Sequence, residues 1–322
     1  MSTVIRFMAG AVALALSLPH PVLAQNAERH VFVTVLDVDG TPVSGLKAEH
    51  FAVREDGRDR SVLRVQPLDT PMHVAVLVDT SFNPTMPIDA FRSALGDFVE
   101  RLVAFHHVSL YTFAERPNRL TPFTRNAAQL RSAIRDMFAT PESRTYLIDT
   151  IDLVLGDMKS LEPARPVIVA FTTDNVESSN MTAAVVMRRM IAAFTTFHAV
   201  HLAAKSSDRA GAPMIRDPRN EGVPGRSAQL GRLVTEGEGD RERNRLLEEG
   251  TKMTAGSLQR IVTLTALSSP LFKLASEFAY SYRLTFGGPP VDKPLKNLQI
   301  GVLAEGVTVR AIAAPDMAKQ TR

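Results

Sequence analysis

Three short segments of this 322-residue chain place oxygen-bearing side chains directly beside apolar runs. In VAVLVDTSFN, Asp79, Ser81 and Asn83 stand at alternate positions; SRTYLIDT leads into a helical pattern with Thr145 at its start; and VIVAFTTDN ends on Thr172, Thr173 and Asp174. One carboxylate from each of two strand ends, together with hydroxyls and an amide, is a set of hard oxygen donors. A divalent cation such as Mg²⁺ takes such a set near octahedral geometry while keeping some of its waters. Taken singly, Asp79 or Asp174 would cap backbone N–H groups beyond a strand end; their pairing at equivalent ends favours the ion. Thr172 and Thr173 are first of all β-branched strand residues, and only then groups that would orient the ligands from behind. Asp149, four residues after Thr145, is expected to hydrogen-bond locally within its helix.

The other chemistry-bearing residues assemble no catalytic set. His198 and His201 in FHAVH lie three apart on a predicted strand, hence on opposite faces, and cannot share a zinc ion. His106 and His107 sit at a helix-to-strand turn; both pairs read as structural or surface histidines. The chain has no G-x-S-x-G, H-E-x-x-H or phosphate-binding glycine loop. A non-enzymatic role follows, with a hydrolase built from distant residues as the less favoured alternative.

Placing the three segments at one edge requires a particular scaffold. From residue 73 the chain alternates strands with helical stretches: HVAVLVD (73–79), HVSLYTFA (107–114), PVIVAFTT (166–173) and TTFHAVHL (195–202) are separated by DAFRSALGDFVERLV, AAQLRSAIRDMF, YLIDTIDLVLGDM and AAVVMRRMIAAF. This alternation predicts a doubly wound, mostly parallel α/β sheet over residues 70–280, whose ligand crevice lies at the carboxyl ends of the strands. Residues 205–245, rich in Gly, Pro, Ser, Arg and Asp, read as a mobile loop. After it, RNRLLEEGTKMTAGS reads as a helix, LQRIVTLT as a strand and SPLFKLASEFAY as the last helix. Residues 28–68 form a β-rich segment with no helices, and 281–315 supply further strands, including a hairpin turning at Glu305-Gly306. The two β segments are expected to pair into one small module flanking the α/β domain in sequence.

At the N-terminus Arg6 precedes the apolar run FMAGAVALALSL and the breaker PHPVLAQ. The pattern is that of a secretory signal peptide over residues 1–24, with Val22 and Ala24 at the −3 and −1 positions. The run is too short for a spanning helix, which needs about 20 apolar residues. The mature chain is therefore expected in the periplasm or outside the cell, without a membrane span. There is no Cys, so neither a disulfide nor a lipidated cysteine contributes. A net charge of +3, basic residues interleaved with acids, no Trp and only four Tyr argue against a nucleic-acid partner.

On these residues the chain resembles the von Willebrand factor A family, and within it the bacterial exported branch called VWFA-related. That family's metal-ion-dependent adhesion site is a D-x-S-x-S motif, a later Thr and a later Asp. Asp79, Ser81 and Asn83 stand at the motif, Thr145 at the Thr and Asp174 at the Asp. The flanking VTVLDVDGTPVSGLKAEHFAVREDG and LFKLASEFAYSYRLTF resemble the branch's N-terminal module and its closing helix and strand. The resemblance implies a binding protein whose divalent ion (Mg²⁺ first, with Mn²⁺ or Ca²⁺ as alternatives) is completed by an acidic side chain of a protein partner. Three departures bear on the ion: Asn83 replaces a Ser, SRTYLIDT lacks the usual preceding Gly, and TTDN replaces TDG. A vestigial site would hold no ion and leave a metal-free interaction scaffold.

Overall fold

The computed structural model describes residues 27–81, 88–141, 143–203, 237–288 and 297–313. Its centre is a six-stranded sheet. β5 (His73–Val78) lies between β6 (His107–Thr112) and β8 (Pro166–Thr173); β9 (Thr196–Leu202) and β10 (Leu258–Ile261) extend the β8 side, and the short β7 (Asn118–Arg119) closes the β6 edge. All pairings are parallel except β6 with β7. Numbering only the parallel strands in chain order gives 2-1-3-4-5, so the winding reverses between β5 and β8. A doubly wound sheet opens a crevice at such a switch point, because the connections leaving the two strands run to opposite faces.

The strands are apolar without interruption because both faces are covered. In β5, Val74, Val76 and Val78 pack on one face while Ala75 and Leu77 pack on the other; Val167, Val169 and Phe171 alternate in the same way with Ile168 and Ala170 in β8. The first face receives α1 (Ile88–Val103), α2 (Ala127–Arg135) and α6 (Ser268–Ala279), the second α3 (Leu147–Lys159), α4 (Ala183–Ala192) and α5 (237–253). Helix α1 buries Phe91, Ala94, Leu95, Phe98, Val99, Leu102 and Val103, a stripe at the three-and-four spacing of an amphipathic helix. Helix α5 runs over 237–245, through a π turn Leu246–Gly250, to Thr251–Met253. Of the loop expected over 205–245, residues 237–245 are helical instead, and 204–236 lie outside the described residues. The strand read from LQRIVTLT also shortens, since only Leu258–Ile261 pairs and Leu264–Ala266 forms a 3₁₀ turn.

The two chain ends build a β-sandwich. One sheet is β13 (Thr308–Ala313), β1 (Ala27–Leu36), β11 (Tyr282–Gly288) and β4 (Val62–Pro67); the other is β12 (Gln299–Val302), β2 (Phe51–Glu55) and β3 (Arg58–Arg60). Val31, Val33 and Val35, two apart and so on one face of β1, meet Phe51, Val53, Tyr282, Leu284 and Phe286 in their common core. The C-terminal strands do not form the expected hairpin. The turn exists, with Gly306 at φ 69°, but β12 pairs with β2 and β13 with β1, so the chain crosses from one sheet to the other.

Candidate functional site

β5 and β8 end side by side, and Asp79 N donates to Phe171 O across them at 2.9 Å. Asp79 is 3% exposed and its carboxylate is fully engaged. Oδ1 accepts from Ser81 N at 2.9 Å and from Ser81 Oγ; Oδ2 accepts from Thr173 N at 3.0 Å and Thr173 Oγ1 at 2.6 Å. Four donors fill what a carboxylate offers, about two lone-pair positions on each oxygen. Ser81 in turn receives the Asn175 amide, whose Nδ2 donates to Ser81 O at 2.8 Å and Ser81 Oγ at 2.6 Å.

Thr145 lies in an adjoining network. Its Oγ1 donates to Val176 O (3.2 Å) or Glu177 Oε2 (3.3 Å), and its backbone bridges the third segment through Thr145 N to Val176 O and Ser178 N to Thr145 O. Glu177, 2% exposed, also accepts from Leu147 N at the start of α3 and from Ser179 N. Burial pushes its carboxyl above the usual range, opposed by those hydrogen bonds and by the Arg243 charge. The loop before α3 is tied to the first segment as well, by Thr140 N to Thr80 O at 2.7 Å.

Asp174 turns to a different set of partners. His201 Nε2 donates to its Oδ1 at 3.1 Å, and the Arg243 guanidinium stands at 3.9 Å. Burial lowers the His201 pKa, against the pull of Asp174, and so favours the neutral ring. Arg243 comes from α5, its side chain 1% exposed; Nη1 also donates to Asn175 O and pairs with Asp240 at 3.2 Å. The docking of α5 needs Gly239, where a Cβ would stand 1.9 Å from Glu177 O.

Of the five residues expected to share an ion, the structure joins Asp79 to Ser81, ties Thr145 to Glu177, and gives Asp174 to His201 and Arg243; Asn83 lies outside the described residues. No group of three or more His, Asp or Glu among the described residues is placed to hold a metal. Among the described residues the expected donors are already engaged by one another and by their neighbours. Each Asp79 oxygen accepts two hydrogen bonds, the Asn175 amide donates to Ser81 Oγ, and Asp174 faces a guanidinium. Asp149 departs from expectation too: its carboxylate caps the loop before α4, accepting from Asn180 N at 2.9 Å and Met181 N at 3.0 Å, rather than bonding within its helix. His198 and His201 are buried, His198 bonding Ser257 Oγ at 2.9 Å.

Sequence reasoning ranked Thr173 behind the ligands and passed over Asn175, Glu177 and Arg243. Asn175 sits in the quoted TTDN string and was the nearest signal.

Residues 74–176 match the family model described as von Willebrand factor type A domain. Among solved structures, the SpRpn10 VWA domain is 13% identical over 62% of this chain and 95% of its own, with a TM-score of 0.40. The conserved hypothetical protein BatB from Bacteroides thetaiotaomicron is 15% identical over 64% and 98%, with a TM-score of 0.43. Proximal thread matrix protein 1 from the mussel byssus, with a zinc-occupied MIDAS motif, is 11% identical over 68% and 49%, with a TM-score of 0.44. No curated protein matches the chain.

Proposed function

Since the chain carries a von Willebrand factor type A domain across residues 74–176, we propose that it holds a protein partner at the C-terminal edge of its central sheet, with loops fixed by hydrogen bonds and Arg243 instead of a divalent ion. One observation carries this reading: both candidate carboxylates are consumed internally, Asp79 by Ser81 and Thr173, Asp174 by His201 and Arg243. Asp79, Ser81 and Thr145 are at most 3% exposed, so they brace the loops above them rather than meet a partner. Phe138, 74% exposed and two residues from the Thr140 that anchors to Thr80, is an aromatic anchor of the kind that dominates binding energy. The reading includes export by the signal peptide over residues 1–24, which lie outside the described residues, and action in the periplasm or beyond. No helix among the described residues is long and apolar enough to cross a membrane.

The test is calorimetric titration of residues 25–322 with Mg²⁺, Mn²⁺ and Ca²⁺, followed by capture of envelope proteins with and without EDTA. The expected result is no saturable heat, and the same captured protein in both conditions, weakened by Phe138→Ala. Saturable Mg²⁺ binding that Asp79→Ala abolishes, or capture that EDTA abolishes, would restore the adhesion-site reading with Asn83 as a ligand.

A further inference from the structure

At the opposite end of the molecule, where β5, β8 and β9 begin, the sandwich closes over the central sheet and leaves a cavity of about 50 Å³. Its walls include Phe32 and Thr34 of β1, Arg165 just before β8, His198 of β9, Glu277 of α6 and Arg310 of β13. That volume corresponds to about four water-sized groups, enough for the head of a small anion and too little for a drug-sized ligand.

The charges around the cavity do not balance. Arg310 Nη1 donates to both carboxylate oxygens of Glu277, at 2.7 and 2.8 Å, and the two charges offset one another. His198 is buried, its pKa lowered to about 3 by burial and by the Arg310 charge, and is neutral. Arg165 is left over. The residue is 5% exposed, and its guanidinium has one hydrogen bond among the described residues, Nη1 to Thr70 O at 3.0 Å, with the Phe32 ring 5.7 Å from its centre. No described carboxylate pairs with it. A charge of its own sign acts on it: Arg283 donates to the Oγ1 of the same Thr70 at 3.3 Å, and burial together with Arg283 lowers the Arg165 pKa to about 9. A buried cation without a counter-charge is strongly disfavoured, and a guanidinium with free N–H groups has the fork geometry that a carboxylate meets with two parallel hydrogen bonds.

We propose that this cavity is a binding site for a small carboxylate, held by the Arg165 guanidinium between the sandwich and the N-terminal edge of the central sheet. Nothing in it depends on the edge that carries Asp79. The ligand's carboxylate completes the charge balance, the Phe32 ring covers the guanidinium face, and the Thr34 and Ser281 hydroxyls, 3.2 Å apart, line the approach. Because the site joins the two halves of the molecule, occupancy stabilises their docking.

The probe is sodium acetate, compared with sodium chloride at equal ionic strength and pH, with triglycine as a larger bearer of the group and its C-terminal amide as the control that lacks it. Acetate at ten times its Kd is expected to raise the thermal midpoint of residues 25–322 by about 2–4 °C over chloride. Arg165→Gln is expected to abolish the shift, and Arg165→Lys, which keeps the charge and loses the fork, to reduce it. Calorimetric titration of the wild-type protein with acetate reads the same site where a variant fails to fold. A response to acetate alone assigns the cavity to free small acids; a further response to triglycine but not its amide extends it to a peptide terminus. Equal behaviour of the wild-type protein in acetate and chloride, with no heat of binding, overturns the proposal.

Discussion

Asp79 and Arg243 show what holds the candidate site together at the residue scale. Asp79 satisfies two backbone N–H groups and two hydroxyls on two segments, and Arg243 offsets Asp174 under near-complete burial. Removing one partner from a buried set costs the desolvation of those left behind, about 1–3 kcal/mol for neutral groups and about 3–5 kcal/mol for one member of a buried ion pair. Asp79→Ala should therefore lower stability by the first amount and Arg243→Met by the second, read as the shift in urea midpoint at constant m-value. Both losses should be the same in Mg²⁺ and in EDTA; a loss seen only with Mg²⁺ present would mean that Asp79 holds an ion. Asp79 and Ser81 were legible in the sequence because an apolar strand runs straight into them. Arg243 was not, since one of three arginines in DRERNR looks like any solvated residue until the fold buries it. Asp174 was found as a strand-end carboxylate, but sequence spacing does not say which way it faces.

Among the elements, α5 departs furthest from its sequence. Residues 237–245, GEGDRERNR, contain no apolar side chain, so hydrophobic periodicity has nothing to detect. The segment is held instead by polar contacts with the third loop: Glu242 accepts from Ala183 N at 2.6 Å, Asp240 from Glu177 N at 3.4 Å, and Gly239 lies against Glu177 O. The parallel strands were readable for the opposite reason, since burial on both faces leaves apolar runs such as VAVLV and VIVAF that tolerate no other placement. Alternation in β12 and β13 revealed strands but not their partners, because a period of two marks faces and not neighbours. The close approach at Gly239 gives a test of α5. Gly239→Ala puts a Cβ 1.9 Å from a backbone oxygen that cannot swing away, whereas at Gly237 a Cβ would meet only the end of the flexible Arg241 side chain, at 4.0 Å. Gly239→Ala should cost about 1–3 kcal/mol and speed hydrogen exchange at Leu147 and Ser179, whose amides bond Glu177, while Gly237→Ala leaves both unchanged. Equal exchange in the two variants would mean that α5 does not brace the loop.

At the scale of the whole molecule, a sandwich drawn from both chain ends closes over the starting edge of an α/β sheet, and the junction is built with neutral histidines. His106, 4% exposed, accepts from Met72 N through Nδ1 at 3.2 Å, a bond that a protonated ring cannot make. Burial first, then the charges of Arg165, Arg125 and His107, lowers its pKa to about 4. His198 packs against the Phe278 ring of α6 and is lowered to about 3. Above pH 6.5 both rings are neutral whether the chain is folded or not, and pH has no effect through them. Below 6.5 the unfolded chain takes up protons that the folded one refuses, so stability falls with pH until the folded-state values are reached. Between pH 7.5 and 5 each histidine accounts for a loss of about 2 kcal/mol. Glu277, whose pKa burial raises, acts in the opposite sense, because the folded state takes its proton first and gains stability as pH falls. That gain falls between the raised folded value and the usual carboxylate range and flattens below it, so it offsets part of the histidine loss at the low end of the window equally in the wild-type protein and in a His106 variant. Urea unfolding followed from pH 7.5 to 5 should accordingly show a steep decline that His106→Asn, which keeps an acceptor for Met72 N without a titrating ring, makes shallower by about 2 kcal/mol over the range. An unchanged slope in that variant would mean that His106 is protonated in the folded protein and that the junction tolerates the charge.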